Sequence, residues 1–182
     1  MIISNQKLCK FLQYSSTKIS EDLDRKIKLT PINNTSIAYW EENWEKNSSR
    51  TPPNGGWDWN SHYLYSQRRK VKLRYSLAIW YEEILCGMAL GYASKGSAHL
   101  RIDLIEGAPD NNHPLRGSIL PIIVDVSMDY ALIEKKQKLI IANPVPDLID
   151  IYSKMGFTYY PEQNRIFKKE SFCEREVCYE CS

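Results

Sequence analysis

The clearest chemical signal in the chain is Arg116-Gly117-Ser118, placed directly ahead of a long apolar run. A helix that begins there aims its unpaired N–H groups and the positive end of its dipole at the loop before it, which suits a phosphate or another anion. Arg116 adds a guanidinium able to donate charge-assisted bonds. A second concentration of chemistry is Gly55-Gly56 followed by Trp57-Asp58-Trp59, with His62 and Tyr63 close behind. Two indoles around one carboxylate would wall a site for a cationic amine. Large aromatics that only cover a sheet edge leave the same pattern.

Metal and nucleophile chemistry find less support. His62, His99 and His113 are isolated, and no spacing supports a Ser-His-Asp or Cys-His arrangement. The five cysteines are an odd number, scattered through a chain large enough to fold without disulfides, so reduced thiols are expected. Cys173-x4-Cys178-x2-Cys181 matches the first three ligands of a plant-type ferredoxin run, but the fourth is missing, and no metal is expected.

These residues must be carried by one folded unit. A chain of 182 residues with 43% apolar and 12% aromatic side chains is rich enough in core formers to exclude disorder. The expected organisation is a single domain, with residues 1–66 helical and looped, 67–170 forming the sheet and ligand-binding core, and 171–182 a flexible tail. No run is long and apolar enough to span a bilayer, and the opening lacks the pattern of an export signal, so a soluble, cytoplasmic protein is expected. Residues 1–80 carry 13 basic against 7 acidic side chains, and residues 81–182 carry 11 against 15. Much of the excess lies in Arg68, Arg69, Lys70, Lys72 and Arg74, where alternation from Lys70 to Ile79 predicts a strand with a basic outer face. That face suits phosphate or RNA, and equally suits an outer strand that discourages edge pairing.

Periodicity predicts the remaining elements. Ser20–Ile27 and Ser36–Lys46 read as helices, Asn47–Gly56 as a loop, and Ile84–Ala93 as a buried strand after a turn at 81–83. His99–Ile105 alternates into a strand that must stop by Pro109, and this alternation puts Asp103 on the face opposite Leu104. A helix from Gly117 or Ser118 to Lys136 keeps Pro121 in its first turn. A strand follows at 138–143, then a helix from Pro146 to Met155 stopped by Gly156, then a hairpin of 157–160 with 165–169. The sum is a mixed α/β sheet, antiparallel in its first half, with a βαβ crossover in the middle.

From Tyr75 to Tyr160 the chain resembles the GNAT acyltransferase superfamily. The resemblance is carried by the glycine-containing hairpin Trp80–Leu90, the strand Leu100–Pro109, Pro114-Leu115-Arg116-Gly117-Ser118 as the start of the pyrophosphate loop, and Tyr152-Ser153-Lys154-Met155-Gly156-Phe157 as the ending of the last helix. The fold implied is the family's mixed sheet, and the activity implied is transfer of an acetyl group from acetyl-CoA to a primary amine. Glu106 is then the first choice for general base, with capping of the turn at 107–110 as its other reading. Tyr152 falls where the family protonates the departing sulfur. The main chain of Leu104 and Ile105, together with Arg116, Gly117, Ser118 and Asn143, would hold the cofactor, and Trp57, Asp58 and Trp59 would face the acceptor. The acceptor is a small-molecule or macromolecular amine, aminoacyl-tRNA among them; no membrane partner is expected, and the oligomeric state, a homodimer included, stays open. One departure stands out: Ile119 and Pro121 occupy the places of the motif's two small residues. It favours the rival reading, a GNAT-shaped module without catalysis that binds a protein or nucleic acid.

Overall fold

A computed structural model describes residues 2–52, 54–68 and 74–169. Helix α1 (Ile2–Leu23) leads into strand β1 (Ile27–Thr30), and helix α2 (Asn34–Asn43) passes through a 3-10 turn to a loop and helix α3 (Trp59–Arg68). Strands β2 (Arg74–Tyr81), β3 (Ile84–Ala93) and β4 (Leu100–Gly107) form a meander. Helix α4 (Ile119–Ile133) then crosses to β5 (Lys138–Ala142). Helix α5 (Ile149–Lys154) and the pair β6 (Thr158–Tyr160) and β7 (Arg165–Lys169) end the described fold. The sheet order is β1-β2-β3-β4-β5-β7-β6, with β4 and β5 the parallel pair and the others antiparallel.

Each face of the sheet buries its own apolar cluster. On one face α1 and α4 supply Leu8, Phe11, Leu12, Ile122, Ile123 and Val126 against Leu77, Ile79, Leu100 and Ile102. On the other, Trp40, Trp44 and Trp59 cover Trp80, Leu85, Met88 and Leu104. Trp59 is entirely buried, so it belongs to the core rather than to an acceptor wall.

Several boundaries differ from the sequence expectation. Residues 20–27 are the end of α1 and the entry to β1; Ile27 and Leu29 alternate inward with Lys28 outward, which is a strand pattern. The segment at 59–68 is helical because Asp58 caps it, its Oδ1 accepting from the Ser61 N–H at 2.8 Å. The helix expected at 146–155 is a 3-10 turn at Pro146–Leu148 continued by α5. Arg69, Lys70 and Lys72, and the tail with its three cysteines, lie outside the described residues.

Two register shifts re-aim side chains in the middle of the sheet. Between β2 and β3 the pairing steps from Ile79↔Gly87 to Trp80↔Leu85, so Cys86 is the extra residue. Between β3 and β4 it steps from Leu90↔Leu104 to Gly91↔Ile102, so Asp103 is the extra residue of a β-bulge. Unbroken alternation would put Asp103 opposite Leu104. The bulge cancels one step, and both residues line the same cavity.

Ile119 is explained by Gly87, the β3 residue opposite Ile79. Its side chain is buried against Gly87, where an added Cβ would stand 2.6 Å from Ile119 Cγ2. The branched side chain therefore fills the core and leaves the loop side of α4 clear. Gly87→Ala should lower unfolding stability by about 1–3 kcal/mol, the usual cost of overpacking. A denaturation midpoint equal to the parent's would contradict the packing of Ile119 into that space.

Candidate functional site

The parallel pair β4–β5 is short. It runs from Leu100↔Leu139 to Ile102↔Ile141 and then stops, at the bulge. Beyond it, residues 104–107 remain paired to β3 on one side and, among the described residues, have no strand on the other. Main-chain groups short of the Gly107 carbonyl, which accepts from Arg50 Nη2 at 2.8 Å, therefore line an open wedge. Leu104 and Ile105 lie on this free edge, with their side chains committed to the two cores. Four residues of strand at about 3.3 Å each give an edge about 13 Å long.

At the wide end of the wedge stands the start of α4. Ser118 is its cap residue and makes no side-chain capping bond, and Pro121 lies in the first turn. The N–H groups of Gly117, Ile119 and Leu120 take no acceptor among the described residues. Gly117 has φ +80°, and a Cβ there would meet nothing within 4 Å, so the backbone is open to close approach. Arg116 is exposed, with one Nη donating to the Asn111 carbonyl at 3.2 Å. On the β5 side Asn143 holds a left-handed conformation, φ +49°, and its N–H donates to the Asn164 carbonyl at 2.9 Å. Its Oδ1 accepts from Asn164 Nδ2, which leaves its own amide N–H groups to donate elsewhere.

Glu106 has a different occupation from the one expected. Its carboxylate, 2% exposed, accepts from Arg50 Nη2 at 3.2 Å and the Gly56 N–H at 2.7 Å on Oε1. Oε2 accepts from the Trp57 N–H at 3.4 Å and the Trp59 indole N–H at 2.7 Å. A carboxylate offers about four acceptor positions, and all four are taken by donors. Removing a proton from a substrate would require breaking this set, so the general-base assignment does not fit the geometry. Glu106 instead latches the 50–59 loop to the end of β4. Gly56 makes that latch possible: its φ is +71°, and a Cβ would stand 2.1 Å from the Arg50 carbonyl oxygen.

Tyr152 is almost wholly buried, edge-on to Phe157 at 5.7 Å between ring centroids. Burial pushes its phenol up to about 12, so it keeps its proton and remains a donor. Its hydroxyl makes no hydrogen bond among the described residues and is not among the sealed polar atoms without a partner.

At the bulge, near the apex of the wedge, a cavity of about 230 Å³ is lined by His62, Tyr65, Arg74, Tyr92, Asp103 and Leu104 among others. Trp57 stands half-buried behind His62, their rings edge to face at 6.0 Å. Asp58 is exposed, and its carboxyl is held below the usual range by the Ser61 bonds. Of the three residues expected to face an acceptor, the structure gives Trp57 to the support of His62, Asp58 to a helix cap and Trp59 to the core. Asp103 lines this cavity instead, a placement that depends on a bulge that no spacing reveals. Among the described residues no three His, Cys, Asp or Glu side chains could hold a metal, and no helix is long and apolar enough to cross a membrane.

No family model matches the chain, and no curated protein matches it in sequence. Solved structures do match in shape. The spermidine N-acetyltransferase of Vibrio cholerae, in complex with CoA and spermine, superposes with a TM-score of 0.55 over 80% of this chain and 96% of its own, at 12% identity. A ribosomal-protein alanine N-acetyltransferase from Escherichia coli gives 0.54 over 85% and 99%, at 14% identity. The N-acetyltransferase PseH of Campylobacter jejuni gives 0.53 over 80% and 99%, at 14% identity.

Proposed function

Since the chain has the GNAT fold of N-acetyltransferases, we propose that it transfers an acetyl group from acetyl-CoA to a primary amine. One observation carries the reading: the main-chain edge of residues 103–106 is left open where β4 parts from β5, with the N–H groups of α4 that take no acceptor among the described residues at its wide end. A pantetheine arm is a linear amide chain of the kind that such an edge binds, and a pyrophosphate suits the helix start. Acetyl-CoA supplies the activated acyl group. Gly117, Ser118 and Arg116 would hold its phosphates, Leu104 and Ile105 its amides, and Asn143 would donate across the wedge.

The chain's own residues then manage the protons. As the acceptor nitrogen bonds to the acyl carbon and the carbon–sulfur bond breaks, Tyr152 gives its proton to the leaving sulfur and recovers one from water. The proton shed by the nitrogen passes to Asp103, whose side chain is 34% exposed and can release it to solvent. Glu106 works at one remove, by keeping the 50–59 loop and the start of α3 in place. The rival, non-catalytic reading leans on the altered loop, Ile119 together with Pro121, which has no N–H to give; the packing of Ile119 on Gly87 weakens the Ile119 half of it.

Turnover is tested by following free CoA thiol with acetyl-CoA and a panel of primary amines. Release that depends on amine supports the reading, and its absence with every amine counts against it. Arg116→Ala should weaken acetyl-CoA about tenfold, as expected for loss of a charge-assisted contact to phosphate. An unchanged dissociation constant by calorimetry would place the anion contact elsewhere.

A further inference from the structure

The cavity beside the bulge has a charge pattern that selects among amines. Arg74, Tyr92 and Arg101 are register partners across β2, β3 and β4, so they form one cross-strand row. The Arg101 guanidinium carbon lies 5.7 Å from the centre of the Tyr92 ring, and its Nε donates to Asp103 Oδ1 at 2.6 Å. Arg74 donates to Gln67 of α3 through both terminal nitrogens, Nη1 to the side-chain Oε1 and Nη2 to the main-chain carbonyl at 3.0 Å, which fixes the guanidinium at the cavity wall. Arg101 thus pairs with Asp103 from outside the cavity lining, and Arg74 is the guanidinium that lines the cavity with that carboxylate. His99, its ring 6.4 Å from that of Tyr92, is held below the ordinary imidazole range by burial and then by Lys138, Arg101, Arg165 and Lys136, so the surroundings are cationic as well.

A guanidinium at the cavity wall, Arg74, repels the second ammonium of a diamine or polyamine and attracts an anion. The carboxylate lining the cavity, at the bulge, is at the end nearest the apex of the wedge. The volume, about 230 Å³, admits a small molecule. We infer, on the acyl-transfer reading above, that the acceptor is a small amine carrying a carboxylate or a phosphate, its anion held by Arg74 and its amino end at Asp103 against the His62 and Tyr92 rings. The ammonium gives one proton to Asp103, which releases it to water. The freed nitrogen bonds to the acyl carbon and sheds its second proton by the same route as the carbon–sulfur bond breaks. The sulfur takes its proton from Tyr152, which recovers one from water. The products are an amide, CoA thiol and one net proton to water.

The test compares amines of matched length: 6-aminohexanoate, hexylamine and 1,6-diaminohexane, with aminoethyl phosphate to separate phosphate from carboxylate. The expected kcat/KM for the better anionic amine exceeds that for the diamine by at least about tenfold. Arg74→Gln should lower kcat/KM for the anionic amine about tenfold more than for hexylamine, because only the first loses a charge-assisted contact. The rise in unfolding temperature that acetyl-CoA gives the parent should persist in Arg74→Gln, which shows that the variant is folded. Preference for the diamine, an anionic-to-neutral ratio unmoved by Arg74→Gln, or acetyl-CoA binding without turnover of any small anionic amine overturns the inference. Failure of acetyl-CoA to bind at all overturns the acyl-transfer reading beneath it.

Discussion

Replacing Glu106 by Gln should lower unfolding stability by about 3 kcal/mol, the lower end of what breaking a buried ion pair costs, since Arg50 keeps some exposure. The reason is a mismatch of hydrogen-bonding character. The four groups around the carboxylate are all donors: the Arg50 guanidinium, two backbone N–H groups and the Trp59 indole. A glutamine amide offers one acceptor oxygen and an NH2 group with two donors, so whichever way it is turned the NH2 faces N–H donors with no water to intervene. Arg50→Met should cost about as much, about 3 kcal/mol, because it leaves the more buried partner, Glu106, without its cation although three N–H donors remain. The lost stability should reach the acceptor site, since the loop held by Glu106 leads through Asp58 into α3, which carries His62 and Tyr65 to the cavity. A rise in acceptor KM larger than any change in acetyl-CoA affinity is therefore expected in Glu106→Gln. Denaturation at the parent's midpoint would show that the latch carries no weight.

Tyr152→Phe should lower kcat about a hundredfold, at the lower end of what a positioned proton donor contributes, while acetyl-CoA affinity stays within about twofold. The variant should fold normally, because the ring contact with Phe157 is kept and the lost hydroxyl makes no hydrogen bond among the described residues. The pH dependence gives a sharper check. With the phenol pushed up to about 12 by burial, the protonated donor is fully populated below that value. The ratio of parent to variant kcat should therefore be the same at neutral and mildly alkaline pH. An unchanged kcat would remove Tyr152 from the proton transfer, and a ratio that shrinks as pH rises would mean that the phenol ionises in the working range.

Much of the fold is legible locally. The strand Ile84–Ala93, the helix start beside Pro121, the short strand at 138 and the closing hairpin all follow from periodicity and from proline and glycine punctuation. Helix α1 is equally available to such reading, since Leu8, Phe11, Leu12 and Ile19 fall at helical spacing. The Asp58–Ser61 cap likewise marks the start of α3. What local pattern cannot carry is contact across the fold. The bulge at Asp103 exists only in the register between β3 and β4, and that register decides which carboxylate faces the cavity. Glu106 reads as a free acid at a strand end until Arg50, Gly56 and Trp59 are brought to it from a distant loop. Ile119 reads as an obstruction until Gly87 is set beneath it.

Acetyl-CoA binding in the wedge between β4 and β5 is the central claim, and thermal unfolding with and without the ligand tests it most directly. At about 100 times its dissociation constant a ligand of the folded state adds roughly 2.7 kcal/mol, which for a domain of this size raises the midpoint by about 5–10 °C. Such a rise is expected with acetyl-CoA, reduced in Arg116→Ala. An unmoved midpoint at millimolar acetyl-CoA would contradict the claim, since an open strand edge and an unpaired helix start would then be present without the ligand they fit.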